Sequence, residues 1–243
     1  MGYSALISSC VGNSSFPNKV LAKVNGKPII QHTYESVLAT GLFEKVIVVT
    51  NNDAVCEIIK GIGGATYKTA KRYDSSFECM AEAALVSDDD VFVCIPGDHL
   101  RVHVSSVEKL THLFEGNFGK DTKVASIVKK IQDTERLNDE NVVKVALSLR
   151  LYGLYFSHAV IPAVKKLEPG FSHFEHINIV AVRKDTLLNM LQQPASPLER
   201  TEQIECLRFI ENGIPVKMII EPYPTVDINN TNDIVAAEVF LQH

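Results

Sequence analysis

The chain has 243 residues, 46% of them hydrophobic and 22% charged, with a formal net charge of −5. That length allows one large α/β domain or two small ones, with a core that needs neither disulfides nor metal, and the composition excludes extensive disorder. The acidic balance speaks against a general nucleic-acid binder, which shows a basic surplus.

Residues 5–8 form a short apolar run that enters a polar, Gly-containing loop at 9–19. A helix is predicted at 28–40, with Ile29, Ile30, Tyr34, Val37 and Leu38 on one face. The run 45–50 reads as a strand buried on both sides, 53–61 as a helix, 78–86 as a third helix and 90–95 as another buried strand. That strand leads straight into P-G-D at 96–98. The second half is less regular, with strands predicted at 123–131, 142–149, 154–156 and 177–182, and a short helix at 186–192. A helix opens at S-P-L-E and is predicted to run to Asn212, with Gly213 as its stop. A strand at 215–220 leads into V-D-I-N-N-T-N-D and a closing helix from Asp233. Strands alternating with helices predict an α/β fold: a mostly parallel sheet with helices on both faces. We read the chain as one continuous domain, 1–243, with a smaller β-rich insertion.

The five cysteines, Cys10, Cys56, Cys79, Cys94 and Cys206, are scattered and form no C-x-x-C pair, so they read as reduced thiols. The N-terminal residues show no basic stretch followed by an apolar core. No apolar run approaches the roughly 18–20 residues a membrane span needs. The expectation is a soluble, cytoplasmic protein with no membrane or nucleic-acid partner.

Four features could carry chemistry. The loop S-S-C-V-G-N-S-S-F-P-N-K follows a strand and offers amides and hydroxyls that can cradle phosphate, with Lys19 as a point charge. It lacks the G-K-[ST] ending of a Walker A loop, and an ordinary strand-to-helix turn would look similar. Asp98 and Asp227 each follow a predicted strand, where ligands of such sheets collect. Two such carboxylates suit Mg2+ against a triphosphate, although a lone aspartate there caps a helix more often than it holds magnesium. Glu199, Glu202 and Glu205 are spaced three apart, placing successive ones side by side on a helix. They could receive sugar hydroxyls or form a solvated face.

Together these residues resemble the 3-deoxy-manno-octulosonate cytidylyltransferases, the CMP-Kdo synthetases. The similarity is carried by F-P-N-K-V-L-A-K-V-N-G-K-P-I-I-Q-H at 16–32, N-V-V-K-V-A-L at 141–147 and L-Y-F-S-H-A-V-I-P at 154–162. S-P-L-E-R-T-E-Q-I-E-C-L-R at 196–208 and V-D-I-N-N-T-N-D-I at 226–234 complete it in the family's order. The resemblance implies transfer of CMP from CTP to an acidic sugar such as Kdo, with release of pyrophosphate and Mg2+ as cofactor. It implies that Asp98 and Asp227 hold the metal and, with Lys19, form the catalytic set. Nucleotide binding would fall to Ser8, Ser9, Cys10, Lys19, Ser75 and Gly97, and sugar binding to His176, Glu202 and Glu205. A homodimer joined through a β-rich segment at about 150–185 and a role in lipopolysaccharide biosynthesis follow from the same likeness.

The chain departs from the family in its charges. Cys10 and Ser15 stand where arginines are usual in the triphosphate loop, Pro96 replaces a glutamine and His99 an acid. Ser76 and Cys79 replace a glycine and an arginine, and Lys71 and Arg72 offer positive charge from a shifted position. On the sugar side His158 replaces an arginine, Cys206 a glutamine, and the strand after His176 reads I-N-I-V-A-V. These changes leave two alternatives open: a nucleotidyltransferase for another sugar acid or nucleotide, and a non-catalytic nucleotide-binding descendant.

Overall fold

Strands that are apolar on both sides must be covered on both faces, and such runs organise the first part of this chain. The computed structural model describes residues 2–10, 18–166 and 168–242. It begins with β1 (Tyr3–Ser9), a short pair β2 (Lys23–Val24) and β3 (Lys27–Pro28), and α1 (Ile29–Ala39). Next come β4 (Lys45–Thr50), α2 (Asp53–Gly61), β5 (Ala65–Lys68), α3 (Ser76–Ala84) and β6 (Val91–Pro96). α4 (Val104–His112), α5 (Gly116–Gly119), β7 (Val124–Lys130), α6 (Thr134–Asn138), β8 (Lys144–Leu147), β9 (Gly153–Ser157) and β10 (Phe174–Arg183) follow. The chain ends with α7 (Lys184–Leu188), α8 (Pro197–Glu202), α9 (Cys206–Glu211), β11 (Val216–Ile220) and α10 (Asp233–Gln242).

The sheet structure is mixed and mostly parallel, with helices packed on it. The chain divides into two compact units. The first comprises Met1–Glu108, Val182–Gln192 and Pro224–His243. Its strands run in the order β6-β1-β4-β5, all parallel, with Ile7 opposite both Val48 and Ile95. Ala5, Leu6 and Ile7 are fully buried, as are Val91, Phe92, Val93 and Ile95. Each fully buried Val, Leu, Ile or Phe side chain contributes about 1.5–3 kcal/mol. α2 shows how local chemistry sets an element. Asn52 caps it by accepting the Ala54 amide at 2.9 Å, and Gly63, at φ 78°, turns the chain out behind it.

The second unit comprises Lys109–Ala181 and Gln193–Tyr223. β7 pairs in parallel with β11, and β8 pairs antiparallel with β9 and β10. Lys144 on β8 is fully buried. Its ammonium donates to the carbonyls of Asp139, Val142 and His158 at 2.6, 3.0 and 2.7 Å. Burial pulls this amine below the ordinary lysine value, while Asp139, Glu140 and Glu175 oppose the shift. Glu175, opposite Lys144 in the β8–β10 pairing, is held by Arg136, with Lys129 3.4 Å away.

The predicted strands at 45–50 and helix at 53–61 match their elements, while β5, α4, α5 and α6 are additions to the sequence reading. One prediction is corrected: the helix expected to run unbroken to Asn212 is two helices. Gln203 adopts the left-handed conformation, at φ 56°, and ends α8. The break lets Ile204 enter the core and lets Arg208 turn back onto Glu199, with paired bonds of 2.6 and 2.7 Å. Both members of that pair are buried. Glu199, Glu202 and Glu205 therefore do not line one helical face: the first is an internal ion-pair partner and the third begins a different helix.

Removing one member of a buried pair strands the other charge, at a cost of about 3–5 kcal/mol. Arg208→Met is expected to lower the stability of the protein by that amount in urea or guanidinium unfolding. An unchanged midpoint would show that Glu199 needs no partner.

Candidate active site

The parallel register of the first unit brings Ser8, Ser9, Thr50, Lys68 and Pro96 to one edge, the carboxyl ends of the strands. The P-G-D turn after β6 is locked there. The Gly97 amide donates to the Ser8 carbonyl at 2.8 Å, and the Thr33 hydroxyl of α1 donates to the Gly97 carbonyl at 2.9 Å. A Cβ at position 97 would meet the Ser8 carbonyl oxygen at 2.7 Å and Ile30 Cδ1 at 3.0 Å, so only glycine fits. Asp98 leaves this turn half-exposed and pairs through Oδ2 with Lys19 Nζ at 2.5 Å.

Three predicted catalytic residues sit beside one apolar cluster. Its buried members are Val24, Ile29, Leu100, Ile228 and Ala237, with Ala22 and Val226 packed against them. Ala22 and Val24 follow Lys19, Leu100 follows Asp98, and Val226 and Ile228 flank Asp227. Asp227 itself is exposed. The cluster thus gathers the three segments that carry the cation and the two carboxylates.

Ser8 and Ser9 are half-exposed at the end of β1. Cys10 is buried, and its thiol donates to the Val49 carbonyl at 3.3 Å, so its side chain turns into the sheet. Ser15, with most of the polar loop, lies outside the described residues. Ser75 is the buried N-cap residue of α3. The segment before it is fixed by Glu82, a buried residue of α3 that sequence reasoning missed. Glu82 accepts the Ala70 amide at 2.8 Å and the Tyr67 hydroxyl at 3.2 Å. Burial raises its pKa, but bonds from Ala70, Tyr73 and Tyr67 outweigh that and hold it below the usual glutamate value. Burial and the Glu82 carboxylate push the Tyr73 hydroxyl well up. A glutamate inside the apolar run M-A-E-A-A was the available signal, since unpaired acids are almost never buried.

The residues expected on the sugar side, His176, Glu202 and Glu205, lie in the second unit. His176 is buried; its Nε2 lies 2.8 Å from the Ser126 hydroxyl, and its ring meets Phe156 edge-on at 5.0 Å. Glu202 accepts from Ser157 at 2.8 Å, from the His158 amide at 3.2 Å and from Tyr155 at 3.3 Å. Burial raises the Glu202 pKa, but these donors win and hold it below the usual range. Glu205, half-exposed, begins α9.

A cytidylyltransferase family model matches residues 5–220. The 3-deoxy-manno-octulosonate cytidylyltransferase of Flavobacterium johnsoniae is 32% identical over 238 residues, covering 98% of both chains. The chain belongs to the cytidylyltransferase family. The 8-amino-3,8-dideoxy-manno-octulosonate cytidylyltransferase of Shewanella piezotolerans is 31% identical over 99% of both chains. A solved structure of CMP:2-keto-3-deoxy-manno-octonic acid synthetase complexed with CTP superposes with a TM-score of 0.89 at 26% identity, covering 100% of this chain and 99% of that one. The 4-diphosphocytidyl-2C-methyl-D-erythritol synthase of Anaerococcus prevotii shares the fold alone, at a TM-score of 0.66 and 15% identity, over 100% of this chain and 99% of that one. This cytidylyltransferase is thus a nucleotidyltransferase by family, and none of its described helices is long and apolar enough to cross a membrane.

Burial drives the His176 imidazole of this cytidylyltransferase from 6.5 down to about 3. Between those values the unfolded chain holds a proton that the folded chain refuses. The residue's contribution is therefore complete above about pH 6.5 and is lost as pH falls toward 3. Urea midpoints should drop from pH 7.5 to pH 5, and His176→Asn should flatten that drop. Equal slopes in the two proteins would remove His176 as its source.

Proposed function

We propose that this cytidylyltransferase transfers CMP from CTP to an acidic eight-carbon sugar of the Kdo type and releases pyrophosphate. The reading rests on the Lys19–Asp98 pair at the carboxyl edge of β6, set beside the cluster that also borders Asp227, in a chain similar to such enzymes along its length.

In the reaction, the sugar's anomeric oxygen forms a bond to the α-phosphorus while the bond to the β-phosphate bridge breaks. The hydroxyl proton leaves to solvent. Such transfer needs position and charge neutralisation more than covalent help. Lys19 meets the charge that grows on the departing pyrophosphate. Asp98 and Asp227 are hard oxygen donors of the kind Mg2+ takes, and they are the residues that would hold it. Bound there, Mg2+ would polarise the phosphate oxygens and ease deprotonation of the sugar hydroxyl. On the sugar side Glu205 is the proposed direct contact. His176, on β10, and Glu202, which accepts from Ser157 and His158 at the end of β9, are proposed to position those strands.

A second sugar has support of its own. The relative named for the 8-amino sugar is as similar as several named for Kdo, so that amine-bearing acid is the alternative acceptor. The product would enter assembly of a surface polysaccharide.

A homodimer is proposed through the segment at 150–185, where Leu154, Val160, Val164 and Phe171 are exposed apolar side chains. Light scattering after gel filtration should give twice the chain mass, and Leu154→Lys should shift it toward one. A monomeric unsubstituted protein would end that reading.

Pyrophosphate release with CTP, Mg2+ and either sugar is the decisive assay. Asp98→Ala and Asp227→Ala should each slow it by about 100-fold or more, equivalent to ~2.7 kcal/mol of barrier. Full activity in either variant would remove that aspartate from the metal set, and no release with either sugar would reject the acceptor class.

A further inference from the structure

An exposed cation pair stands on a turn that is anchored from inside the protein. Residues 69–75 leave the carboxyl end of β5 and reach the first turn of α3, and α3 packs on β1, β4 and β6. The turn therefore runs along the carboxyl edge of the sheet, from its outer strand back toward β1. β5 lies two strands from β1, about 10 Å at the usual interstrand spacing, and the returning turn crosses part of that distance.

The start of the turn is tied down. The Thr69 amide donates to the Thr50 carbonyl at 3.1 Å, and the Thr50 hydroxyl donates to the Ser9 carbonyl at 3.1 Å. The turn is thus stitched through β4 to the end of β1. From below, the Glu82 carboxylate holds the Ala70 amide and the Tyr67 hydroxyl. Lys71 and Arg72 come directly after Ala70, and both are exposed. Lys71 Nζ rests 4.8 Å from the centre of the Tyr73 ring.

Two neighbouring cations on a backbone that is already fixed lose little conformational freedom when they grip an anion. Arginine adds a planar fork that matches phosphate oxygens, and lysine adds a point charge. The edge they overlook is where ligands of parallel sheets collect. Loop position 10, at the end of β1, supplies no cation there, because Cys10 is a thiol turned in toward Val49.

We propose that Lys71 and Arg72 form a polyphosphate-binding pair that grips the nucleoside triphosphate, and that Glu82 is the positioning residue that presents them. The inference rests on the nucleotidyl-transfer reading above and adds a source of charge to it.

The test uses the full chain, titrated calorimetrically with CTP and with inorganic tripolyphosphate, alongside steady-state kinetics. Lys71→Ala/Arg72→Ala should weaken binding of both probes about 10-fold and raise KM for CTP similarly, roughly the loss of one charge-assisted contact. Its kcat should stay within about twofold, and its melting temperature should hold because both side chains are exposed. The salt dependence of CTP binding should also become shallower. Glu82→Gln should raise KM for CTP with kcat preserved, and Glu82→Asp should recover part of the loss. Should Glu82→Gln fail to fold, the double variant decides the matter. Unchanged affinities in a double variant that still turns over would overturn the pair and leave nucleotidyl transfer standing. An unsubstituted protein that binds neither CTP nor tripolyphosphate would overturn both.

Discussion

The amide of Gly97 donates to the carbonyl of Ser8, and the hydroxyl of Thr33 donates to the carbonyl of Gly97. These two bonds carry the β1–β6 pairing one residue beyond the strands and tie it to α1. They form only because position 97 has no side chain, since the Ser8 carbonyl and Ile30 occupy the space a Cβ would need. Asp98 is the next residue, so its direction is set by backbone bonds and not by its own rotamer alone. Lys19 meets it across the edge, and the apolar cluster beneath brings the Asp227 segment alongside. The geometry around Asp98 in this first unit is thus a consequence of how two buried parallel strands end.

The second unit solves a different problem, that of polar groups taken out of water. Lys144 gives all three of its protons to carbonyls, Glu199 and Arg208 meet through two parallel bonds, and Glu175 lies against two cations. Buried charges of this kind add little net stability over an apolar core, but losing one partner leaves the other charge uncompensated. Glu202 belongs to the same economy, because its oxygens hold Tyr155, Ser157 and the His158 amide in one conformation. Positions 10 and 79 carry buried thiols, side chains that pack and bring no charge. Among the described residues, positive charge at or just beyond the carboxyl edge sits on Lys19, Lys68, Lys71 and Arg72.

What can be read from local sequence here is what neighbouring residues decide among themselves. The strand at 45–50 and the helix at 53–61 match their elements because burial on both sides and an Asn52 cap are local facts. Asp98 and Asp227 stood out because each follows an apolar run. β5 escaped notice because four residues with exposed ends carry no clear period, and the helix break at Gln203 because nothing in T-E-Q-I-E-C disfavours continuing. The break accompanies burial of Ile204 and the pairing of Arg208 with Glu199, contacts that no local pattern announces.

The sequence by itself therefore determined the α/β class and the family, and it singled out Lys19, Asp98 and Asp227 as candidates. Only the tertiary structure decided that Lys19 faces Asp98, that Thr33 secures Gly97 from 64 residues away, and that His176 is a neutral core residue. It also decided that Glu82 anchors the turn carrying Lys71 and Arg72. The physical reason is one of range. Hydrophobic period and capping act over a few residues, whereas a hydrogen bond or ion pair between distant segments exists only once the core has brought them together.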